Sequence, residues 1–424
     1  MFKFIDKFSK KYLSLPRHYI KWTIISALIG IMSGLIGTGF HKILDLVTEK
    51  RLEHPYLLYF IPLGGLVIVF LYRWLKQANN HGTNDIMDAV KSGNPVTALF
   101  IPLIFISTAI THLFGGSAGR EGAALQMGGG VGSVTGRILK LKESDMRIAI
   151  LCGMSSTFTA LFGTPITATV FTIEFISVGI IHYSAIFPCL IGSITAMGIA
   201  SLFSISPTAF TLTEIPVFNA HNFTLCMIFS IVCAVLSIVF CVLMHKTEKL
   251  AKMIKNQYLR AFIGGILIIL FTLIIGSRDY NGAGMNVIER AISGDAVPYA
   301  FIAKMLLTAI TIGFGYKGGE IVPSFFIGAT FGCVFGAMLG LPPSFCAALG
   351  LIGMFCGVTD APIASMILAI ELFGSEGFIF FGVVCTISYV LSGRIGLYDS
   401  QKHLFTKDGN PLEAEALAKN EFFI

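Results

Sequence analysis

Residues 119–128 read Gly119-Arg120-Glu121-Gly122-Ala123-Ala124-Leu125-Gln126-Met127-Gly128, an arginine and a glutamate set among glycines in an otherwise apolar part of the chain. A charged side chain at the bilayer centre costs about 2.5–3.5 kcal/mol on insertion scales, so an intramembrane carboxylate is a functional candidate by default. The glycines suit a loop that opens a helix N-terminus, where free N–H groups and the helix dipole attract anions. A carboxylate placed there can occupy an anion site itself and leave it when protonated. Glu121 is therefore a candidate anion-displaced proton carrier, with an Arg120–Glu121 structural pair as the plainer alternative.

The surroundings of this stretch justify the word intramembrane. Of 424 residues, 54% are hydrophobic and 13% charged, and the mean hydropathy is +0.79. An average soluble domain carries about 25% charged residues. Apolar runs recur at 22–40, 57–72 and 98–114 and continue to 378–391, a dozen or more in all, apolar around the whole helix circumference. Many fall short of the ~20 residues of a full span, and glycines interrupt several, as in helices that stop inside the bilayer. The fold class is all-α integral membrane. The net charge of +6 is dispersed in short flanks, which excludes nucleic acid as a partner. The nine cysteines form no C-x-x-C pair and the histidines no metal-type spacing, so neither metal nor cofactor is expected.

Basic residues set an expected orientation. Lys3, Lys7, Lys10, Lys11, Arg17 and Lys21 crowd the start, Arg137 to Arg147 form a second cluster, and Lys246 to Arg260 a third. The positive-inside rule puts all three on the cytoplasmic side. Residues 1–21, too charged for a cleaved signal, read as a cytoplasmic N-terminal segment, and residues 399–424 as a short cytoplasmic tail.

The chain also repeats itself. Thr108-Ala109-Ile110-Thr111 returns 200 positions later as Thr308-Ala309-Ile310-Thr311. At the same offset Gly82, Gly119, Gly128, Gly132 and Gly136 match Gly282, Gly319, Gly328, Gly332 and Gly336, and Gly153-Met154 matches Gly353-Met354. After a slip of three, Pro165-Ile166 and Glu174 match Pro362-Ile363 and Glu371. This is a tandem duplication, with membrane repeats at 22–205 and 222–398. Repeated halves with interrupted helices are a transporter architecture with the ion site at the repeat interface. Whether the halves are inverted depends on a span count the sequence leaves open.

The second copy of the motif is Gly318-Gly319-Glu320-Ile321-Val322-Pro323, with Pro323 fitting a first helical turn. Glu320 is a second buried carboxylate candidate; a Glu320–Lys317 structural pair competes with that reading. Glu174 and its counterpart Glu371 favour structural roles. Gly82-Thr83-Asn84-Asp85 reads as a third helix-opening loop whose hydroxyl and amide suit an anion, or as an ordinary turn and cap.

Nearly the whole chain, from the first span to Tyr398, resembles the CLC anion channels and transporters. Residues 119–126 match that family's G-R-E-G-x-x-x-Q signature, residues 318–323 fall at its G-G-x-F-x-P motif, and Tyr398 falls at its late tyrosine. The resemblance implies a CLC-type inverted repeat of broken and full-length helices, a homodimer with a pore in each subunit, Glu121 as external gating glutamate, and Tyr398 as an anion-coordinating phenol. Gly82, Thr83, Asn84, Gly119, Arg120, Gly122, Gly319, Ile321, Val322 and Tyr398 are then the anion-binding candidates. Chloride-type members read G-S-G-I-P at the first loop, have an apolar residue at Glu320, and, in antiporters, carry an internal glutamate where this chain has Phe175. These departures resemble the fluoride-exporting branch, which usually carries Asn or Met where this chain has Thr83.

The expected function is a multi-pass inner-membrane antiporter exporting fluoride against protons, with Glu121 as gate and proton carrier and Glu320 as a second proton-path candidate. A chloride/proton exchanger, supported by Thr83, and a passive channel are the alternatives. An enzyme would need a nucleophile, base or metal cluster at the bilayer edge, and the sequence offers none.

Overall fold

The computed structural model describes residues 2–78, 82–403 and 407, with side chains from residue 16 onward except those of 402 and 403. Nearly all of the expected C-terminal tail beyond 403 lies outside the described residues. Sixteen α-helices fill the rest. The first eight are α1 (Phe2–Glu53), α2 (Ile61–Trp74), α3 (Thr83–Ser92), α4 (Phe100–Leu113), α5 (Glu121–Ile138), α6 (Glu143–Phe162), α7 (Pro165–Glu174) and α8 (Ile186–Leu202). The second eight are α9 (Ala220–Lys252), α10 (Gln257–Ile275), α11 (Met285–Ile292), α12 (Ala300–Gly313), α13 (Ile321–Met338), α14 (Pro343–Thr359), α15 (Pro362–Phe373) and α16 (Phe378–Leu391). Among the described residues six helical segments are long and apolar enough to cross a membrane. Five further apolar helices are shorter, because the chain breaks at Gly, Pro and the loops described below. The charged start is helical: α1 runs without a break from Phe2 into the first apolar run.

The repeated glycines have a packing cause. α5 crosses α6, and α13 crosses α14, at backbone contact. A Cβ on Gly128 would stand 2.2 Å from Gly153 O, and one on Gly328 2.2 Å from Gly350 O. A Cβ on Gly132 would meet Ala149 O at 2.0 Å, and one on Gly332 would meet Cys346 O at 2.1 Å. Small residues let helices approach closely enough for dispersion to hold them where lipid supplies no hydrophobic drive. These contacts also correct the sequence alignment. Gly153 packs on Gly128 as Gly350 packs on Gly328, so the repeat counterpart of Gly153 is Gly350, not Gly353, and the slip of three precedes residue 346. It lies at the start of α14, a 17-residue helix opposite the 20 residues of α6.

The halves are antiparallel, as α7 and α15 show. The carboxylate of Glu174, at the end of α7, accepts the N–H groups of Ile363 (3.0 Å) and Ala364 (2.8 Å) at the start of α15. Glu371, on α15, accepts those of Ile166 (3.0 Å) and Thr167 (2.8 Å) at the start of α7. Each half thus caps a helix of the other with a charge that its dipole favours. A two-residue parallel strand pair, β1 (Ser177–Val178) with β2 (Lys402–His403), fastens the C-terminal segment to the first half.

Candidate functional site

The two glycine-rich loops meet face to face. Gly119 N–H donates to Gly319 O at 2.7 Å and Gly319 N–H to Gly119 O at 2.8 Å, an antiparallel bridge between positions 200 apart. Side chains repeat the exchange: Ser117 N–H donates to Thr311 Oγ1 (3.0 Å) and Lys317 N–H to Thr111 Oγ1 (3.2 Å). Any side chain here would separate the loops, since a Cβ on Gly319 would lie 2.6 Å from Gly122 N. The repeat that sequence comparison detects is the local two-fold that brings two helix N-termini, those of α5 and α13, together.

Glu121 sits at that junction, fully buried. Its Oε2 accepts the N–H of Arg120 (2.9 Å), at the start of its own helix, and that of Val322 (3.2 Å), in the first turn of α13. One carboxylate oxygen is therefore shared between the N-termini of both halves, where backbone donors and two dipoles would otherwise receive an anion. Oε1 has no hydrogen-bond partner. The nearest cation is Arg120, with Nε 3.9 Å away, so the two are not hydrogen-bonded.

Beside this junction lies a cavity of about 410 Å³. Gly82, Thr83, Asn84, Gln126, Lys317, Gly318, Glu320 and Tyr398 line it, and it reaches the basic end of the molecule at Glu248, Lys252 and Arg260. Gly82 precedes α3 with φ +68°, a left-handed value that glycine adopts freely. Thr83 Oγ1 accepts a hydrogen bond from Gln126 Nε2 at 3.1 Å, which leaves the hydroxyl proton to donate. The hydroxyl of Tyr398 is buried with no protein partner. Two O–H donors thus line one cavity, next to a helix start. Asn84 also lines the cavity; its Oδ1 accepts Ser400 N–H at 3.1 Å, fixing the segment that carries Tyr398, and its amide N–H groups remain the donors that suit an anion.

Glu320 is the residue before α13 and half-buried against the cavity. No ion pair within 4.0 Å joins it to Lys317 among the described residues. The Lys317 ammonium instead lies over the Tyr72 ring, 4.5 Å from its centroid, which removes the structural-pair alternative. Phe175 stacks edge-on against Tyr398 at 5.6 Å, so the internal position is closed by apolar packing.

Of the sequence candidates, Gly82, Thr83, Asn84, Glu320 and Tyr398 share the cavity, and Gly119, Gly122, Gly319, Ile321 and Val322 build the closed junction around Glu121. Arg120 divides: its N–H serves Glu121, but its guanidinium turns away to His41 and Asp45 on α1. Three residues escaped the sequence reading. Gln126 stood unassigned inside the signature. Lys304, a lone cation in the apolar run of α12, is buried and donates to Tyr280 O (3.2 Å) and Gly282 O (2.6 Å) beside the junction. His41 gave no signal, because its partner is 79 residues away.

Residues 63–393 match the voltage gated chloride channel family. A Pseudomonas syringae protein described as a chloride/fluoride channel protein is 30% identical over 97% of this chain and 93% of its own length. A Vibrio vulnificus H(+)/Cl(-) exchange transporter is 25% identical, covering 91% of this chain and 89% of its own. Among solved structures, a CLC-type fluoride/proton antiporter superposes with TM-score 0.87 at 28% identity, over 91% of this chain and 98% of that one. A slow cyanobacterial Cl-/H+ antiporter shares the fold, with TM-score 0.76 at 20% identity over 88% and 94%.

Proposed function

The chain belongs to the voltage gated chloride channel (CLC) family of membrane proteins, and on that premise we propose that it exchanges fluoride for protons, exporting cytoplasmic fluoride across the inner membrane. The observation that carries this reading is Glu121 Oε2, which accepts backbone N–H groups from both halves at the place an anion would take. Protonation removes the charge that holds the carboxylate there, the side chain leaves, and an anion takes the vacated donors. Return of the side chain expels the anion and releases the proton. Each elementary charge moved is worth about 2.3 kcal/mol per 100 mV, so a proton gradient drives export effectively.

Fluoride as the substrate is supported by the cavity and by the relatives. A small, strongly hydrated anion leaves water only for dense, strong donors, and Thr83 and Tyr398 offer O–H groups beside a helix start. Both the chloride/fluoride relative and the fluoride/proton antiporter structure point the same way. Glu320, half-buried in the cavity, is the second proton-path group in this reading, replacing an internal carboxylate where Phe175 stands. The homodimer and cytoplasmic termini belong to the same proposal, the latter resting on the basic clusters. A chloride/proton exchanger is the second reading, favoured by the Thr83 hydroxyl.

The test is efflux from liposomes loaded with equal fluoride and chloride, followed with ion-selective electrodes and a pH trace. Fluoride leaving well ahead of chloride, with protons entering, is the expected result. Chloride leaving as readily supports the exchanger, and efflux without proton movement sinks the antiporter.

A further inference from the structure

His41 lies on α1 with its side chain 19% exposed, one turn before Asp45. Its Nδ1 is 2.9 Å from Arg120 Nη1, and its Nε2 is 3.1 Å from Asp45 Oδ2. A guanidinium only donates, so Nδ1 is the acceptor and the ring is the neutral tautomer with its proton on Nε2, directed at Asp45. Arg120 also lies 3.8 Å from Asp45 Oδ1 and rests over the Phe162 ring at 5.9 Å. Its Nε, by contrast, is buried and without a partner, 3.9 Å from Glu121 Oε1, which is equally buried and unpartnered. α4, α5, α6 and α8 also pack on α1. Among the described residues, Asp45 and Glu121 are the only acids within 4.0 Å of the Arg120 guanidinium, and Asp45 the only one for His41.

A desolvated donor and a desolvated carboxylate oxygen, both unpaired, close to a charge-assisted hydrogen bond unless one of them is held. We propose that His41 is a positioning residue for the Glu121 gate: its Nδ1 holds the Arg120 guanidinium off Glu121 Oε1, which leaves the carboxylate free to take a proton and move. Without that acceptor Arg120 closes on Glu121 and fastens it in its seat. This inference rests on the proposed role of Glu121 as a carboxylate that leaves its seat.

Wild type, His41→Phe and His41→Gln are compared in liposomes at equal pH on both sides, with proton-coupled fluoride efflux as the readout. Loss of the acceptor in His41→Phe slows efflux about tenfold, the scale of one charge-assisted hydrogen bond. In His41→Gln the amide oxygen accepts from Arg120 in place of Nδ1, so the rate stays near that of wild type. His41→Phe as fast as wild type, or His41→Gln as slow as His41→Phe, overturns the proposal.

A second measurement is independent of transport. Nitrogen NMR of full-length protein labelled at histidine, with the His41 signal identified by its loss in His41→Gln, reports the tautomer. The proton on Nε2 is expected; a proton on Nδ1 in the neutral ring overturns the inference. Wild-type liposomes that move no fluoride would remove the functional reading, and the tautomer would still decide whether His41 holds Arg120.

Discussion

Replacing Glu121 by Gln keeps the side-chain shape and deletes the charge. In the native seat one carboxylate oxygen accepts two backbone N–H groups, at 2.9 and 3.2 Å. Hydrogen bonds to charged groups contribute about 1.5–3 kcal/mol and neutral ones about 0.5–1.5, so each bond weakens by roughly 1 kcal/mol and the seat by roughly 2. An anion that must displace the side chain gains the same amount, a roughly 30-fold tighter fluoride affinity. The amide cannot carry a proton, so proton uptake stops while any remaining fluoride flux becomes uncoupled. Folding stability moves the other way from function, because the substitution removes a buried charge whose desolvation opposes folding. The unfolding midpoint is held or raised. Calorimetric titration of fluoride into the purified protein, with the liposome assay alongside, reads both effects. Unchanged fluoride affinity together with intact proton uptake would show that Glu121 does not stand in the anion's place.

Other outcomes follow from the same geometry. Glu371→Ala leaves the N–H groups of Ile166 and Thr167 without acceptors at the start of α7, and Glu174→Ala does the same to α15. Each lowers thermal stability in detergent by about 2–4 kcal/mol while proton coupling per folded molecule survives; lost coupling at full stability would reverse the assignment. Tyr398→Phe removes a hydroxyl with no protein partner, so stability changes by less than about 0.5 kcal/mol and fluoride binds several-fold more weakly in the same titration, by about 1 kcal/mol. Gly132→Ala would press a methyl to 2.0 Å from Ala149 O, and the forced separation of α5 from α6 costs about 3 kcal/mol or more, seen as reduced yield and a lower unfolding midpoint.

Much of this molecule is legible in one dimension. A chain this poor in charge cannot be soluble, and a glutamate kept within it must be held by something, so residue 121 stands out before any fold is known. The 200-residue offset is equally plain, because duplicated helices keep their glycines where backbones touch. That same regularity misled at one place: Gly153-Met154 and Gly353-Met354 align in sequence, yet the residue that takes the place of Gly153 in the second half is Gly350. Letters one helical turn away can coincide, whereas a backbone crossing admits one partner.

Hydropathy and spacing determined by themselves the membrane class, the duplication, and the two carboxylates at the starts of α5 and α13. Only the tertiary structure decided which donors those groups meet. Glu121 takes an N–H from a helix 201 positions away, and Glu174 and Glu371 cap each other's halves. Lys317 turns to Tyr72 rather than Glu320, and Arg120 turns to His41. The physical reason is that desolvation depends on composition, which a sequence displays. A hydrogen bond depends on direction and on distances of about 3 Å, which exist only once the antiparallel halves have closed on their two-fold.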